Sequence, residues 1–328
     1  MKNYVAKYFL NTKKVAKNFC KNDDVTLQFF QWENNVMLCG INEVLEFLNE
    51  NTNTSKYQIK YLPEKTMIKS REVVLELKGH YQDFAMYEGV IDGILSRASS
   101  LATNAQAIKK AANGKNLIFM GDRADYYLNQ PRDGYAVAMG GIETQVTKAQ
   151  VSLHNGQAVG TMPHALIQLF HGDLIKAMHK FREIFPEQNL IALVDFNNDV
   201  IVDALLALKE FKHELYGVRV DTSRNLVDKY FIDKEVVEKG VNVTLIKALR
   251  AALNKNGGKH VKIIVSSGFN AKKIAQFEAE KAPVDFYGVG AAVMKIKHFF
   301  SADAVKINGE LVAKVGRKYQ NNKKLKIY

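Results

Sequence analysis

"LIALVDFNNDVIVDALLALKEFKHELYGVRVDTSRN" occupies residues 190–225. Two short apolar runs, each ending in polar residues, flank a stretch whose apolar residues recur at helical spacing. A run, a helix and a second run make a parallel βα unit. The same texture recurs in "NLIFMGDR", "AVAMGG", "VKIIVSSGFN" and "VDFYGVG", and "FNAKKIAQFEAE" has the helical pattern between the last two. Six such runs over roughly 180 residues point to a closed or nearly closed α/β barrel. A doubly wound open sheet is the alternative.

Upstream, residues 1–90 mix strand-like runs ("VTLQFF", "VMLCG", "REVVLELKGHY") with a helix ("INEVLEFLNE") and a polar loop ("NTNTSK"). Residues 84–113 have helical periodicity that stops at Gly114. Near the C-terminus, "VKINGELVAKVG" reads as a hairpin with Asn308-Gly309 in a type I′ turn. A hairpin does not belong in a βα barrel, so it is expected to return to the N-terminal sheet. The expected division is an N-terminal α+β domain over 1–100 plus 303–328, and an α/β barrel over 101–302.

The chain has 328 residues, 47% apolar and 24% charged, ordinary for a globular protein. No stretch reaches the roughly 18 uninterrupted apolar residues of a membrane span. The basic start "MKNYVAKYFLNTKKVAKNF" lacks the apolar core of a secretory signal. Cys20 and Cys39 form no CxxC, so a cytoplasmic protein without disulfide framework or zinc site is expected. The net charge of +12 is spread along the chain, with a modest cluster only in "RKYQNNKKLKIY". It admits three readings: nucleic-acid binding, steering of phosphorylated substrates, or a lysine-rich composition. Partners are expected to include neither nucleic acid nor membrane.

In a βα barrel the chemistry sits at the C-terminal ends of the strands. Those ends carry Gly121, Asp122 and Arg123; Glu143 and Thr144; Asp195; Arg219, Asp221, Thr222 and Ser223; Ser266, Ser267 and Gly268; and Gly288 and Gly290. All six are polar or glycine, which predicts a lined cleft. "SSGFNAKK" and "GVGAAV" each place small residues between a strand and an expected helix, where backbone N–H groups can approach an anion. Against that stands tight packing as the reason for Gly288 and Gly290. Neither a dinucleotide fingerprint nor a Walker A loop is present. In "VRVDTSRN", Arg219 and Asp221 fall on one face of a strand. The pair suits a phosphate and ribose hydroxyls or Mg²⁺, or else a structural salt bridge.

"GTMPHALIQLF" (Gly160–Phe170) sets His164 where a turn hands over to a helix. This histidine could pack or cap, act as general acid or base, or accept a phosphoryl group. His171 and His179 lie seven and fifteen residues on, which is not zinc-site spacing.

Together these stretches resemble the nicotinate phosphoribosyltransferases, a family of type II phosphoribosyltransferases. The likeness covers roughly residues 8–317 and is carried by "YFLNTKK", "ELKGHYQDFAMYEGVIDGILSRASSLATNA", "GDR", "GGIETQVTKA", "GTMPHALI", "ALVDFNNDVIVDAL", "GVRVDTSRN", "SSGFN", "DFYGVGAAV" and "DAVKINGELVAKVGR". The resemblance implies an irregular parallel α/β barrel of the quinolinate-phosphoribosyltransferase kind. It implies formation of nicotinate mononucleotide and pyrophosphate from nicotinate and phosphoribosyl pyrophosphate, in NAD salvage. Mg²⁺, ATP as co-substrate and a phosphorylated histidine, here His164, come with it. So does a homodimer in which Tyr8 reaches across to stack on the base. Arg219 and Asp221 would hold ribose and phosphates, with Asp221 as the Mg²⁺ ligand. Met120, Arg123, Glu143, Thr144, Thr161 and Asp195 would line the substrate. Ser223, Ser267, Gly268, Gly288 and Gly290 would bind phosphate.

Three positions depart from the family pattern. Met120 stands where relatives often carry an aromatic, Glu143 where an aspartate is usual, and no second arginine or tyrosine accompanies Arg123 in "GDRAD". Nicotinamide and quinolinate therefore stay open as bases. A basic nucleic-acid-binding protein built on the same scaffold is the non-enzymatic alternative.

Overall fold

The computed structural model describes residues 2–232, 234–235 and 237–328. The chain runs through α1 (Lys7–Phe19), β1 (Asp24–Gln31), β2 (Val36–Met37), α2 (Ile41–Asn51), β3 (Tyr57–Tyr61), β4 (Met67–Ile68) and β5 (Leu75–His80). A short α3 (Tyr81–Phe84) leads to the long α4 (Glu88–Ala111). Next come β6 (Asn116–Phe119), α5 (Gln130–Met139), α6 (Lys148–Val151), α7 (His164–Leu169), α8 (Leu174–Ile184) and β7 (Leu190–Leu193). Then follow α9 (Val200–Phe211), β8 (Leu215–Val220), α10 (Val243–Lys255), β9 (Lys262–Val265), α11 (Ala271–Ala279) and β10 (Phe286–Val289). β11 (Phe300–Ile307), β12 (Glu310–Leu311) and β13 (Lys326–Ile327) are the last strands described.

Two compact units result. The first comprises Met1–Gln106, Ala136–Gly141 and Lys295–Tyr328. Its antiparallel sheet has the order β12-β11-β1-β5-β3-β13. β1 is central and buried on both faces. Leu27 and Phe29 point into a core with Leu75, Leu77 and Ile59 and with Ile91 and Leu95 of α4. On its other face Gln28 donates to Glu76 at 2.7 Å and to the Gln320 carbonyl at 2.9 Å, so the C-terminal segment satisfies the buried amide. The expected hairpin is present: Asn308 and Gly309 have φ of 51° and 87°, and β11 pairs along the whole of β1 from Val25 to Gln31.

The second unit comprises Ala107–Tyr135 and Ile142–Met294. Its core is a parallel sheet in the order β6-β10-β9-β8-β7. Beyond β6, single parallel bridges join Phe119 to Gln145 and Gln145 to Ala158. The strands are nearly all apolar and buried, as the two-sided cover of a βα sheet requires. Side-chain caps fix several helix starts: Asp173 for α8, Asn242 for α10 and Asn270 for α11. Among the described residues no helix is long and apolar enough to cross a membrane.

Three sequence expectations are corrected. "AVAMGG" is not a strand: it is the end of α5, with Pro131 and Asp133 in the first turn and Gly141 at φ 97° beyond the last. Glu143 and Thr144 still arrive at the sheet, because the Thr144 carbonyl accepts from Phe119 N–H at 2.9 Å. "VMLCG" contributes only the two residues of β2, paired with β4. No helix follows "GVGAAV"; its backbone makes a turn in which Val293 N–H donates to the Gly290 carbonyl at 2.9 Å.

In the first unit Glu88 and Asp92, one turn apart on α4, sit with Asp303 of β11. Burial, then the charge of Asp303, pushes Glu88 up to about 7. Burial, then the charge of Glu88, pushes Asp92 up to about 8. Asp92 Oδ1 is buried without a hydrogen-bond partner among the described residues. In an unfolded chain these groups would titrate near 4. The folded state therefore holds extra protons between those limits, and this contribution to stability is lost as pH rises through about 7–8. Thermal melts from about pH 6 to about pH 9 are expected to show a falling Tm in the wild type. Asp92→Asn is expected to flatten the slope and raise Tm at the alkaline end by about 2–4 °C. A slope unchanged by the substitution contradicts the assignment.

Candidate active site

All strands of the second unit's sheet run parallel, so their C-terminal ends share one edge. β8 lies between β7 and β9, with Arg219 opposite Leu193 on one side and Ile264 on the other. The hydrogen-bond ladder continues past the strand ends: Val194 N–H donates to the Arg219 carbonyl at 3.1 Å, and Ser266 N–H to the Val220 carbonyl at 3.0 Å. This delivers Asp195, Asp221 and Ser266 to the same edge.

Arg219 Nη2 donates to the Met162 carbonyl at 3.1 Å, while its Nε is buried with no hydrogen-bond partner among the described residues. Burial lowers the guanidinium's pKa; the charges of Asp221 and Asp195 oppose that, and Arg123 adds to it. Asp221, two residues on, accepts at Oδ1 from Ser266 Oγ at 2.7 Å. The side chains of both residues thus turn to the same side, as the two-residue strand period requires.

His164 opens α7 behind Pro163, which has extended φ and ψ of −87° and 166° and no side-chain cap. The imidazole does not cap the helix. Its Nε2 lies 3.1 Å from Asp195 Oδ1, with side-chain exposures of 39% and 7%. Burial is the main force raising the Asp195 carboxyl pKa; attraction and a hydrogen bond from His164 oppose it, and Asp221 raises it further. Nε2 is the ring nitrogen that faces Asp195, so Nδ1 is the one left for another partner.

Beyond β9, Ser267 and Gly268 both have φ of 74° before Asn270 caps α11. A Cβ on Gly268 would meet nothing within 4 Å, so the turn faces open space. Gly288 and Gly290 answer to close packing. A Cβ at Gly288 would lie 2.8 Å from Met120 Sδ and 3.0 Å from Ser266 Cβ; one at Gly290 would lie 2.6 Å from the Met120 carbonyl. Met120 is in turn tied by its N–H to the Val289 carbonyl at 2.7 Å.

The remaining predicted residues are placed less tightly. Arg123 is exposed and acts on Arg219 through its charge. Glu143 is exposed, and its charge acts on His154. Thr161 precedes Met162, whose carbonyl holds Arg219. Ser223 is exposed in a turn, its carbonyl accepting from Leu226 N–H at 3.0 Å. Tyr8 lies in the first unit, exposed on α1 with its ring 4.4 Å from that of Phe9. Of the cluster, Ser266 was placed at a strand end by the sequence without a specific role, and the Met162 carbonyl was not foreseen. A hydroxyl at the end of the strand beside Asp221 was a visible signal for Ser266; a backbone carbonyl leaves none.

Comparison with known proteins agrees with this fold. Residues 8–99 match the family described as "Quinolinate phosphoribosyl transferase, N-terminal domain". A solved structure of nicotinate-nucleotide pyrophosphorylase from Pyrococcus furiosus is 32% identical. That match covers 97% of this chain and 79% of that one, with a TM-score of 0.85. Human nicotinic acid phosphoribosyltransferase has a similar fold at 16% identity, covering 96% of this chain and 77% of that one, with a TM-score of 0.72. A nicotinate phosphoribosyltransferase of Mycobacterium tuberculosis is 24% identical over 236 residues, 71% of this chain and 47% of the relative. The match thus spans about half the length of that relative. With the parallel sheet and the cluster at its C-terminal edge, these likenesses establish that the chain belongs to the type II phosphoribosyltransferases, the family of the nicotinate phosphoribosyltransferases.

Proposed function

We propose that the protein is a nicotinate phosphoribosyltransferase acting in NAD salvage. The observation that carries this reading is the pairing of Arg219 and Asp221 with His164 and Asp195 at one edge of the parallel sheet. The pyridine nitrogen lone pair attacks C1′ of phosphoribosyl pyrophosphate. The bond from C1′ to the pyrophosphate oxygen breaks with its electron pair, leaving nicotinate mononucleotide and pyrophosphate. The transition state has oxocarbenium character and a departing polyanion, so positioned charges do most of the work. Arg219, partly buried and already near two aspartates, stabilises the anion. Asp221 holds the ribose hydroxyls. The open Ser267-Gly268 turn at the start of α11 receives the 5′-phosphate. Gly288, Gly290 and Ser223 are assigned to phosphate with it. Met120, Arg123, Glu143, Thr144 and Thr161 line the base and ribose.

His164 accepts the γ-phosphoryl group of ATP. Its Nδ1 attacks phosphorus, ADP leaves, and Asp195 balances the imidazolium character that develops. Mg²⁺ fits the donor set as a substrate-borne ion. Among the described residues no three His, Cys, Asp or Glu side chains form a cation site, and one carboxylate plus phosphate oxygens and water is a usual shell for this metal. Asp221 would be that carboxylate, and the ion would neutralise pyrophosphate charge. The enzyme acts as a homodimer in which Tyr8 serves the partner's base site. It works in the cytoplasm, where its free thiols Cys20 and Cys39 are at home.

One assay decides the reading: mononucleotide formation from phosphoribosyl pyrophosphate and Mg²⁺ with nicotinate, nicotinamide or quinolinate, each with and without ATP. Nicotinate is expected to be used best and ATP to stimulate. Turnover with quinolinate alone would reassign the base, and none with any base would refute the transferase reading. Arg219→Ala is expected to lower kcat/KM by roughly 10²–10³-fold. His164→Ala is expected to abolish ATP stimulation and any acid-labile phosphorylation by ATP; persistence of either removes the phosphoryl role from His164.

A further inference from the structure

We infer that Ser266 is a positioning residue that keeps Asp221 and Arg219 separately available to substrate; the inference rests on the transferase reading above. Arg219 is largely buried, feels the charge of Asp221 first among its neighbours, and leaves Nε without a hydrogen-bond partner among the described residues. A carboxylate and a guanidinium so placed tend to close into a forked ion pair, in which both would be spent on each other. Asp221 Oδ1 instead accepts a hydrogen bond from Ser266 Oγ at 2.7 Å.

Ser266 is held firmly enough to act as that restraint. It is only 5% exposed, and its N–H is bonded to the Val220 carbonyl, directly before Asp221. Its Cβ is crowded against Gly288, where an added Cβ would lie 3.0 Å away. The hydroxyl therefore sits at a fixed place and steers one carboxylate oxygen away from Arg219. The other oxygen is left to meet a ribose hydroxyl, and Arg219 to meet the substrate's anionic groups. Ser266 need not touch substrate for this.

The test is a double-mutant cycle read by calorimetric binding of phosphoribosyl pyrophosphate with Mg²⁺, which needs no turnover. Ser266→Ala in the wild-type background is expected to weaken binding about tenfold, the loss of one charge-assisted hydrogen bond. In an Asp221→Asn background it is expected to change binding less than about twofold, because the residue it acts through is already altered. Ser266→Thr, which keeps the hydroxyl, is expected to restore binding to within about threefold of wild type, whereas Ser266→Cys, a weak donor, does not. In steady state the loss appears in KM for phosphoribosyl pyrophosphate and not in KM for the base. An equal effect of Ser266→Ala in both backgrounds, or an unaltered affinity in the wild-type background, overturns the inference while the transferase reading stands. Should Ser266→Ala not fold, the Thr and Cys variants decide between the same outcomes. Absence of turnover by the wild type overturns the transferase reading and this inference together.

Discussion

The second unit depends on the parallel pairing of β8 between β7 and β9. That pairing runs past the regular strands, through Val194 N–H to the Arg219 carbonyl and Ser266 N–H to the Val220 carbonyl. Asp195 and Asp221 are each the next residue beyond a ladder contact, and Arg219 and Ser266 are part of one. Because a one-residue slip would turn every side chain to the opposite face, the backbone register that buries Val218, Val220 and Ile263 also sets Arg219, Asp221, Asp195 and Ser266 on one edge. Packing and chemistry are two consequences of one alignment.

Electrostatics explains why those residues are costly for the fold and useful for the site. Arg219 is partly buried, which lowers its pKa, and the charges of Asp221 and Asp195 oppose that shift. Asp195 is buried more than its single imidazole partner can offset, so its pKa is raised. Within this cluster the buried Arg219 Nε has no hydrogen-bond partner among the described residues, a cost to the fold. On the proposed function an anionic substrate carrying hydroxyl groups would supply that partner, and a partly buried arginine would act on it at higher effective strength than it would in water.

Much of this was legible in the sequence. The runs at 190–194, 215–220, 262–265 and 286–289 announce themselves as strands because a two-sided parallel sheet admits almost only apolar residues. Asn308-Gly309 named its own turn. "AVAMGG" misled because a short apolar run does not distinguish a buried helix end from a strand; Pro131 and the glycine pair were the arbiters. Gly288 and Gly290 read as a phosphate loop from local pattern; packing adds a second reason for them, the first lying against Met120 Sδ and Ser266 Cβ and the second against the Met120 carbonyl. The contacts with Met120 join residues more than 160 positions apart, and no local pattern reveals them. The bond of His164 to Asp195 is likewise a product of topology, since α7 and the end of β7 are distant in sequence. The paired charges of Glu88, Asp92 and Asp303 needed β11 to be laid beside β1 before they could be seen.

The most direct measurement is a crystal structure of the protein with phosphoribosyl pyrophosphate and Mg²⁺. The account predicts the 5′-phosphate in the Ser267-Gly268 turn at the start of α11, the ribose hydroxyls on Asp221, and the pyrophosphate within reach of Arg219. Density for the substrate at any other face of the second unit, with this strand edge unchanged, would contradict it.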